Sequence, residues 1–222
     1  MKIFIVIPIY NEEKHIANVL KGLANYHLPI VAVDDGSSDR SGVKIGESKV
    51  KGVELLTHTI NLGKGAAMKT GAEYAFSSGA DAVIFMDSDG QHLAKDIPGF
   101  IDLLKGGKYD VIFGSRNLNL GVPLARYFGN KIASLLIRSL FGIYVSDLIC
   151  GFRGLTKRGY EQIKWNSDGY AVETEMVIRA AKTKARYCEV PVETVYHDNV
   201  KGVTLLDAFG IFFNVLKWRI EK

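Results

Sequence analysis

Cysteine is scarce. Cys150 and Cys188 are the only two in 222 residues, they stand far apart, and neither belongs to a C-x-x-C pair. A disulfide framework and a cysteine-built zinc site are therefore unsupported, and a reducing compartment is the default. Long hydrophobic runs are also missing. No stretch reaches the roughly 18 uncharged apolar residues that a membrane-crossing helix needs. Residues 125–147 come closest but are interrupted by Lys131 and Arg138, and 205–222 ends in basic and aromatic residues. Dense Lys/Arg blocks are absent and the net charge is only +4, so nucleic acid is not an expected partner. "MKIFIVIPIYNEE" lacks a small-residue cleavage site after its short apolar run, which reads as a first strand and not as a signal peptide. Repeats and low-complexity segments are absent too.

What is present is a globular composition, 47% apolar and 23% charged, at a length that suits one domain. The first half alternates between two periods. Short apolar, β-branched runs at 3–9, 29–34, 52–58, 80–87 and 109–116 predict strands. Between them, 11–25, 63–79 and 94–107 have helical spacing, with Asn11 as the expected N-cap of the first helix. Such alternation predicts a mostly parallel α/β sheet covered on both faces. From about Gly121 the beat is lost. Helix, a loop carrying "DLICGFRG", helix, the strand "ARYCEVPV", the extended "ETVYHD" and a C-terminal helix are expected there.

In such sheets, ligands collect at the carboxyl ends of the strands. Polar clusters fall at all five of these ends: "YNE", "DDGSSD", "NLGKG", "DSDGQ" and "GSR". Asp87 and Asp89 of "DSDGQH" would suit Mg²⁺ or Mn²⁺, which favour carboxylate oxygens shared with substrate phosphates. An EF-hand is excluded, since the sixth and twelfth positions from Asp87 are His92 and Pro98. A phosphatase dyad would want Thr or Val where Gln91 stands. An ordinary polar turn remains open, and His92 is either a ligand or a residue behind one. Asp34, Asp35 and Asp39 would accept hydrogen bonds from base or ribose groups, or cap the next helix. Gly63 and Gly65 at a helix start would favour an anion, although neither a Walker motif nor a correctly placed G-x-G-x-x-G is present. Arg116, Arg126 and Arg153 are candidate phosphate readers, Arg116 foremost because it directly follows a strand. Glu173 and Glu175 either favour a helix dipole or face the site.

Taken in order, "VIPIYNEE", "VDDGSSD", "NLGKGAA", "DSDGQH", "GSR", "CGFRG", "EVPVETVY" and Lys201 resemble the inverting GT-A glycosyltransferases of family 2, in particular the dolichyl- or polyprenyl-phosphate sugar synthases. The resemblance covers about residues 2–205. It implies one GT-A domain over 1–222, with a nucleotide-sugar-binding half at 1–116 and an acceptor half at 117–222. It further implies a GDP-mannose or UDP-glucose type of donor and a lipid monophosphate acceptor. Pro8, Tyr10, Glu12 and Asp35 would line the nucleoside pocket. Asp87, Asp89 and Gln91 would hold Mg²⁺ or Mn²⁺ on the donor diphosphate, while Arg116 and Arg126 would grip the acceptor phosphate. Three positions depart from the family pattern: Asn130 replaces a small hydroxyl residue, and His197 and Val200 replace Gly and Ser. Many relatives carry C-terminal membrane-spanning helices that this sequence lacks. Peripheral attachment at the cytoplasmic face is expected instead, through the amphipathic 121–146 and the C-terminal helix, and a separate membrane-anchoring subunit is the alternative attachment. Two rival readings stay open. One is a family 2 enzyme with a soluble glycan acceptor, using Glu173 or Asp147 as base. The other is a non-catalytic nucleotide-sugar-binding subunit.

Overall fold

A computed structural model describes residues 1–116, 124–195 and 205–220, with side chains described from Phe128 in the helix that starts at 124 and from Phe213 in the last helix. Seven strands form one sheet in the order β3-β2-β1-β4-β6-β5-β7. They are β1 (Ile3–Ile9), β2 (Ile30–Asp34), β3 (Val53–Thr57), β4 (Ala82–Phe85), β5 (Val111–Arg116), β6 (Arg153–Thr156) and β7 (Tyr187–Val192). Among the described residues, eight α-helices accompany them: α1 (Ile16–Leu23), α2 (Ser41–Glu47), α3 (Lys64–Ser77), α4 (Ile97–Lys105), α5 (Leu124–Phe141), α6 (Lys157–Ile163), α7 (Val172–Thr183) and α8 (Leu205–Ile220).

The alternation of side chains along a strand builds two cores. Ile3, Ile5, Ile7 and Ile9 of β1 pack with α1, α2 and α4 on one face. Phe4 and Val6 pack on the other with α3 and α5 to α8. This explains why β1 reads as a continuous apolar run: a strand covered on both faces has no polar side. Close docking of α3 requires Gly71, where a Cβ would overlap the Val6 side chain.

Four expectations are corrected. Arg153 and Gly154, expected at the end of a loop, begin β6, which runs antiparallel between β4 and β5. With Arg and Gly in a four-residue strand, propensity points away from β structure. Burial decides instead: a Cβ at Gly154 would press on Phe100 and Ile112, and Arg153 is only 1% exposed. Its guanidinium donates to the carbonyls of Cys150 (2.9 Å), Glu173 (2.7 Å) and Leu148 (2.6 Å). Arg153 is thus a structural clamp and not a phosphate reader. Asn11 is not an N-cap, because α1 begins five residues later. Asn11 adopts φ 55°, and its Oδ1 accepts from the Ser38 amide at 2.8 Å, tying the first polar loop to the second. One helix was also expected between "CGFRG" and β7, where α6 and α7 stand.

The topology creates a gap. From β1 the chain adds β2 and then β3 on one side, whereas β4 pairs on the other, so the switch point lies between β1 and β4. Pairing of β1 with β4 ends at Val6. Beyond it Pro8 loses no ladder bond on that side, and its carbonyl accepts from Ser88 Oγ at 2.8 Å.

Candidate active site

A cleft of about 660 Å³ opens at this switch point. Of the expected site residues, Pro8, Tyr10, Glu12, Asp35, Asp87, Asp89, Gln91 and Arg116 all line it, and Lys64, His92 and Glu173 join them. Arg126 lies in α5, but its side chain is outside the described residues, as are His197, Val200 and Lys201.

The "DDGSSD" turn divides its carboxylates between tasks. Asp34 accepts from the Ser37 amide at 3.0 Å. Asp39 accepts from the amides of Ser41 (2.9 Å) and Glu13 (3.1 Å). Both therefore follow the turn-and-cap reading. Asp35 is buried, takes the amides of Leu62 (2.9 Å) and Gly63 (2.7 Å), and pairs with His58 Nδ1 at 2.7 Å. It holds the loop before α3 against the end of β2. About one of its roughly four lone-pair positions remains for a ligand.

The expected anion site at Gly63 and Gly65 is not formed. The amides of Gly65 (2.5 Å) and Ala66 (3.2 Å) both donate to the carbonyl of Asp168, and a Cβ at either glycine would overlap the backbone of 167–168. The glycines let α3 start hard against that loop, and Trp165 Nε1 donates to the Gly65 carbonyl at 2.8 Å. What this docking presents to the cleft is Lys64. Its ammonium lies 2.6 Å from Asp87 Oδ1 and 2.7 Å from Glu173 Oε1. Burial opposes its charge, but the two carboxylates outweigh that and raise its pKa. Burial likewise opposes ionisation of Asp87, yet Lys64 and then His92 hold it well below the usual carboxylate range. The residues alone carried one signal for Lys64, a basic side chain between two glycines at a strand end. That pattern also describes a solvated helix start.

Asp89 Oδ1 accepts from the Gln91 amide at 2.9 Å, folding the turn so that the Asp89 carboxylate stays at the cleft. His92 is buried behind it. Its Nδ1 accepts from the Asp87 amide at 3.4 Å, and Nε2 faces Cys150 Sγ at 3.9 Å. Burial lowers its pKa despite Asp87 and Asp89 nearby, and its ring supports the turn from below, packed against Phe152 at 5.1 Å between centroids. Across the cleft, Arg116 forks onto Asp147 (Nε to Oδ2 2.6 Å, Nη2 to Oδ1 3.0 Å). Asp147 is 1% exposed. Asn130 braces the same turn, donating to the Ser146 carbonyl at 2.9 Å and accepting from the Leu148 amide at 3.2 Å. The amide serves both partners at once, its NH₂ donating and its carbonyl oxygen accepting.

Among the described residues, no group of three or more His, Cys, Asp or Glu side chains is arranged to hold a metal. Asp87 and Asp89 are two hard oxygen donors at one strand end. That set fits a divalent cation whose other ligands come from a bound diphosphate and water.

The chain matches the model of glycosyl transferase family 2 over residues 4–164. It is 32% identical to the UDP-N-acetylglucosamine–dolichyl-phosphate N-acetylglucosaminyltransferase of Methanococcus voltae, covering 99% of this chain and 97% of that one. It is 27% identical to the polyprenol monophosphomannose synthase of Mycolicibacterium smegmatis, with 98% and 86% covered. Among solved structures, glucosyl-3-phosphoglycerate synthase from Mycobacterium tuberculosis, in complex with Mn²⁺, UDP-glucose and phosphoglyceric acid, aligns with a TM-score of 0.77. Its identity is 18%, with 98% of this chain and 79% of that one covered, so the likeness is one of fold.

Proposed function

The chain belongs to glycosyl transferase family 2, and on that premise we propose that it transfers a hexose from a nucleotide sugar to a polyprenyl or dolichyl phosphate with inversion at the anomeric carbon. One observation carries the choice of acceptor. Asp147 and Glu173, the carboxylates available as bases for a hydroxyl acceptor, are both buried and committed to cations, Asp147 to Arg116 and Glu173 to Lys64. A phosphate monoester needs no such base, since its second pKa of about 6 leaves it anionic at neutral pH. The names of the Methanococcus and Mycolicibacterium relatives support the same acceptor class.

In this reading Pro8, Tyr10, Glu12 and Asp35 receive the nucleoside. Asp87 and Asp89, with Gln91 beside them, would hold Mg²⁺ or Mn²⁺, which would supply positive charge against the departing diphosphate. Arg116, aimed by Asp147, orients the acceptor phosphate against the sugar. Such positioning of one anion near another supplies much of the rate. Arg126 is assigned to the same phosphate on the family resemblance. The mannose and glucose donors implied by the motifs are joined by N-acetylglucosamine, which the Methanococcus relative's name carries.

Access to a lipid phosphate is assigned to α5 and α8, which pack against each other. Phe128, Ile132 and Leu135 of α5 and Phe213, Leu216 and Ile220 of α8 are exposed. Their spacing places each set on one helix face. Among the described residues no helix is long and apolar enough to cross a membrane, so this face would lie in the interface, with Lys131, Arg138, Lys217 and Arg219 at headgroup level.

The test is a partition assay. The protein is incubated with Mg²⁺ or Mn²⁺, a polyprenyl phosphate and labelled GDP-mannose, UDP-glucose or UDP-N-acetylglucosamine. Label entering the organic phase with one donor is the expected result. None with any of the three would overturn the acceptor assignment.

A further inference from the structure

We propose that Lys64 is the resident counter-ion of Asp87, which a divalent cation must displace, and that Glu173 retains the displaced ammonium. The inference rests on the reading of Asp87 as a metal ligand and adds a residue that competes for it.

The geometry is that of two cations claiming one oxygen. The Lys64 ammonium is at 2.6 Å from Asp87 Oδ1, a close charge-assisted contact. Asp87 has little freedom to offer its other oxygen. A Cβ at Gly151 would overlap the carboxylate, and Oδ2 faces His92 Nδ1 at 3.8 Å. A dication on Oδ1 and the ammonium cannot share that position, so the ammonium moves off. Glu173, 4% exposed and 2.7 Å away on the far side, keeps it in the cleft. The start of α3 is pinned by the Gly65 and Ala66 amides on Asp168, so the side chain pivots while its backbone stays.

Two consequences follow from charge alone. A divalent cation binds weakly to the protein by itself, because it must break an existing ion pair and then sit beside the released ammonium. A nucleoside diphosphate, carrying negative charge between the two cations, relieves that repulsion and tightens metal binding. Lys64 thereby makes the site wait for the donor. By linkage the metal tightens nucleotide binding by the same factor.

The experiment is a titration of Mn²⁺ into the whole protein, read by calorimetry or by the EPR signal of free Mn²⁺, without nucleotide and with UDP or GDP. Wild type should bind Mn²⁺ alone weakly and gain about tenfold or more with the nucleotide, the worth of one charged hydrogen bond. Lys64→Met should bind Mn²⁺ alone about tenfold more tightly than wild type and show a smaller enhancement by the nucleotide, keeping only the part that direct coordination by the diphosphate supplies. Glu173→Gln, which leaves Asp87 as the sole carboxylate partner of the ammonium, should weaken Mn²⁺ binding. The opposite signs separate competition from a general loss of fold, which would weaken both, and Lys64→Arg should stay near wild type. Binding that Asp87→Asn abolishes but Lys64→Met leaves unchanged would overturn this inference while the metal reading stands. No Mn²⁺ binding in any form, with or without nucleotide, would overturn both.

Discussion

At the scale of single residues, Asp89 separates chemistry from support. Its carboxylate caps its own turn through the Gln91 amide, a bond worth about 1 kcal/mol. Asp89→Ala should therefore cost little stability in a thermal melt and yet abolish turnover; retained turnover would refute its assignment to the metal. Arg116 is different, since deleting it would strand buried Asp147, a loss of about 3 kcal/mol or more. Arg116→Lys avoids that by keeping the charge while losing the planar fork. It should raise KM for the acceptor about tenfold with nucleotide affinity unchanged. The reverse pattern would move Arg116 to the donor side. Asp87, Asp89, Gln91 and Arg116 were legible as a group because their side-chain chemistry is unusual for plain turns and they sit at strand ends. Lys64 was not, because its pairing with Glu173 bridges 109 positions of sequence, and no local pattern encodes that distance. Arg153 misled for a related reason: an arginine near a phosphate-type site reads as a ligand until its three carbonyl partners are seen.

At the scale of elements, the parallel half was readable and the join between halves was not. β1 to β4 declare themselves by apolar runs ending in polar turns. β6 has only four residues, and its β structure follows from neighbours on both sides. That strand splits β4 from β5 and so sets the width between Asp87 and Arg116. The far edge of the sheet is tied by Asp110, just before β5, and Arg186, just before β7, at 2.8 and 2.9 Å. The Arg186 hydrogen bonds, outweighing partial burial, hold the Asp110 carboxyl below its ordinary value of 3.8. A depressed carboxylate pKa contributes stability that is present above the ordinary value and lost as pH falls through the folded one. Arg186→Met should therefore move the acid-unfolding midpoint to higher pH, with the smallest difference from wild type below both pKa values. An unchanged midpoint would show that the pair does not hold β5 to β7.

For the whole molecule, one side of the sheet edge carries the cleft, and α5 and α8 carry an apolar ridge. Ile132 and Ile220 are 66% and 84% exposed, so replacing both by Glu should leave folding nearly unchanged, within about 0.5 kcal/mol per site. The same change should release the protein from vesicles containing anionic lipid in a sedimentation assay. Equal sedimentation of variant and wild type would remove this ridge as the docking face. Amphipathic spacing made the two helices visible in the sequence, whereas the pairing of their exposed faces required the fold, because α5 and α8 stand more than 60 residues apart.

The most direct measurement is of the product itself. Polyprenyl phosphate in vesicles is incubated with the protein, a divalent cation and the accepted donor, and the lipid is analysed by mass spectrometry and by NMR at the anomeric carbon. The expected product is the lipid phosphate carrying one sugar unit in the anomeric configuration opposite to that of the donor, absent with Asp89→Ala. A lipid sugar with retained configuration, or sugar found only on a water-soluble acceptor, would contradict transfer by direct displacement onto a lipid phosphate.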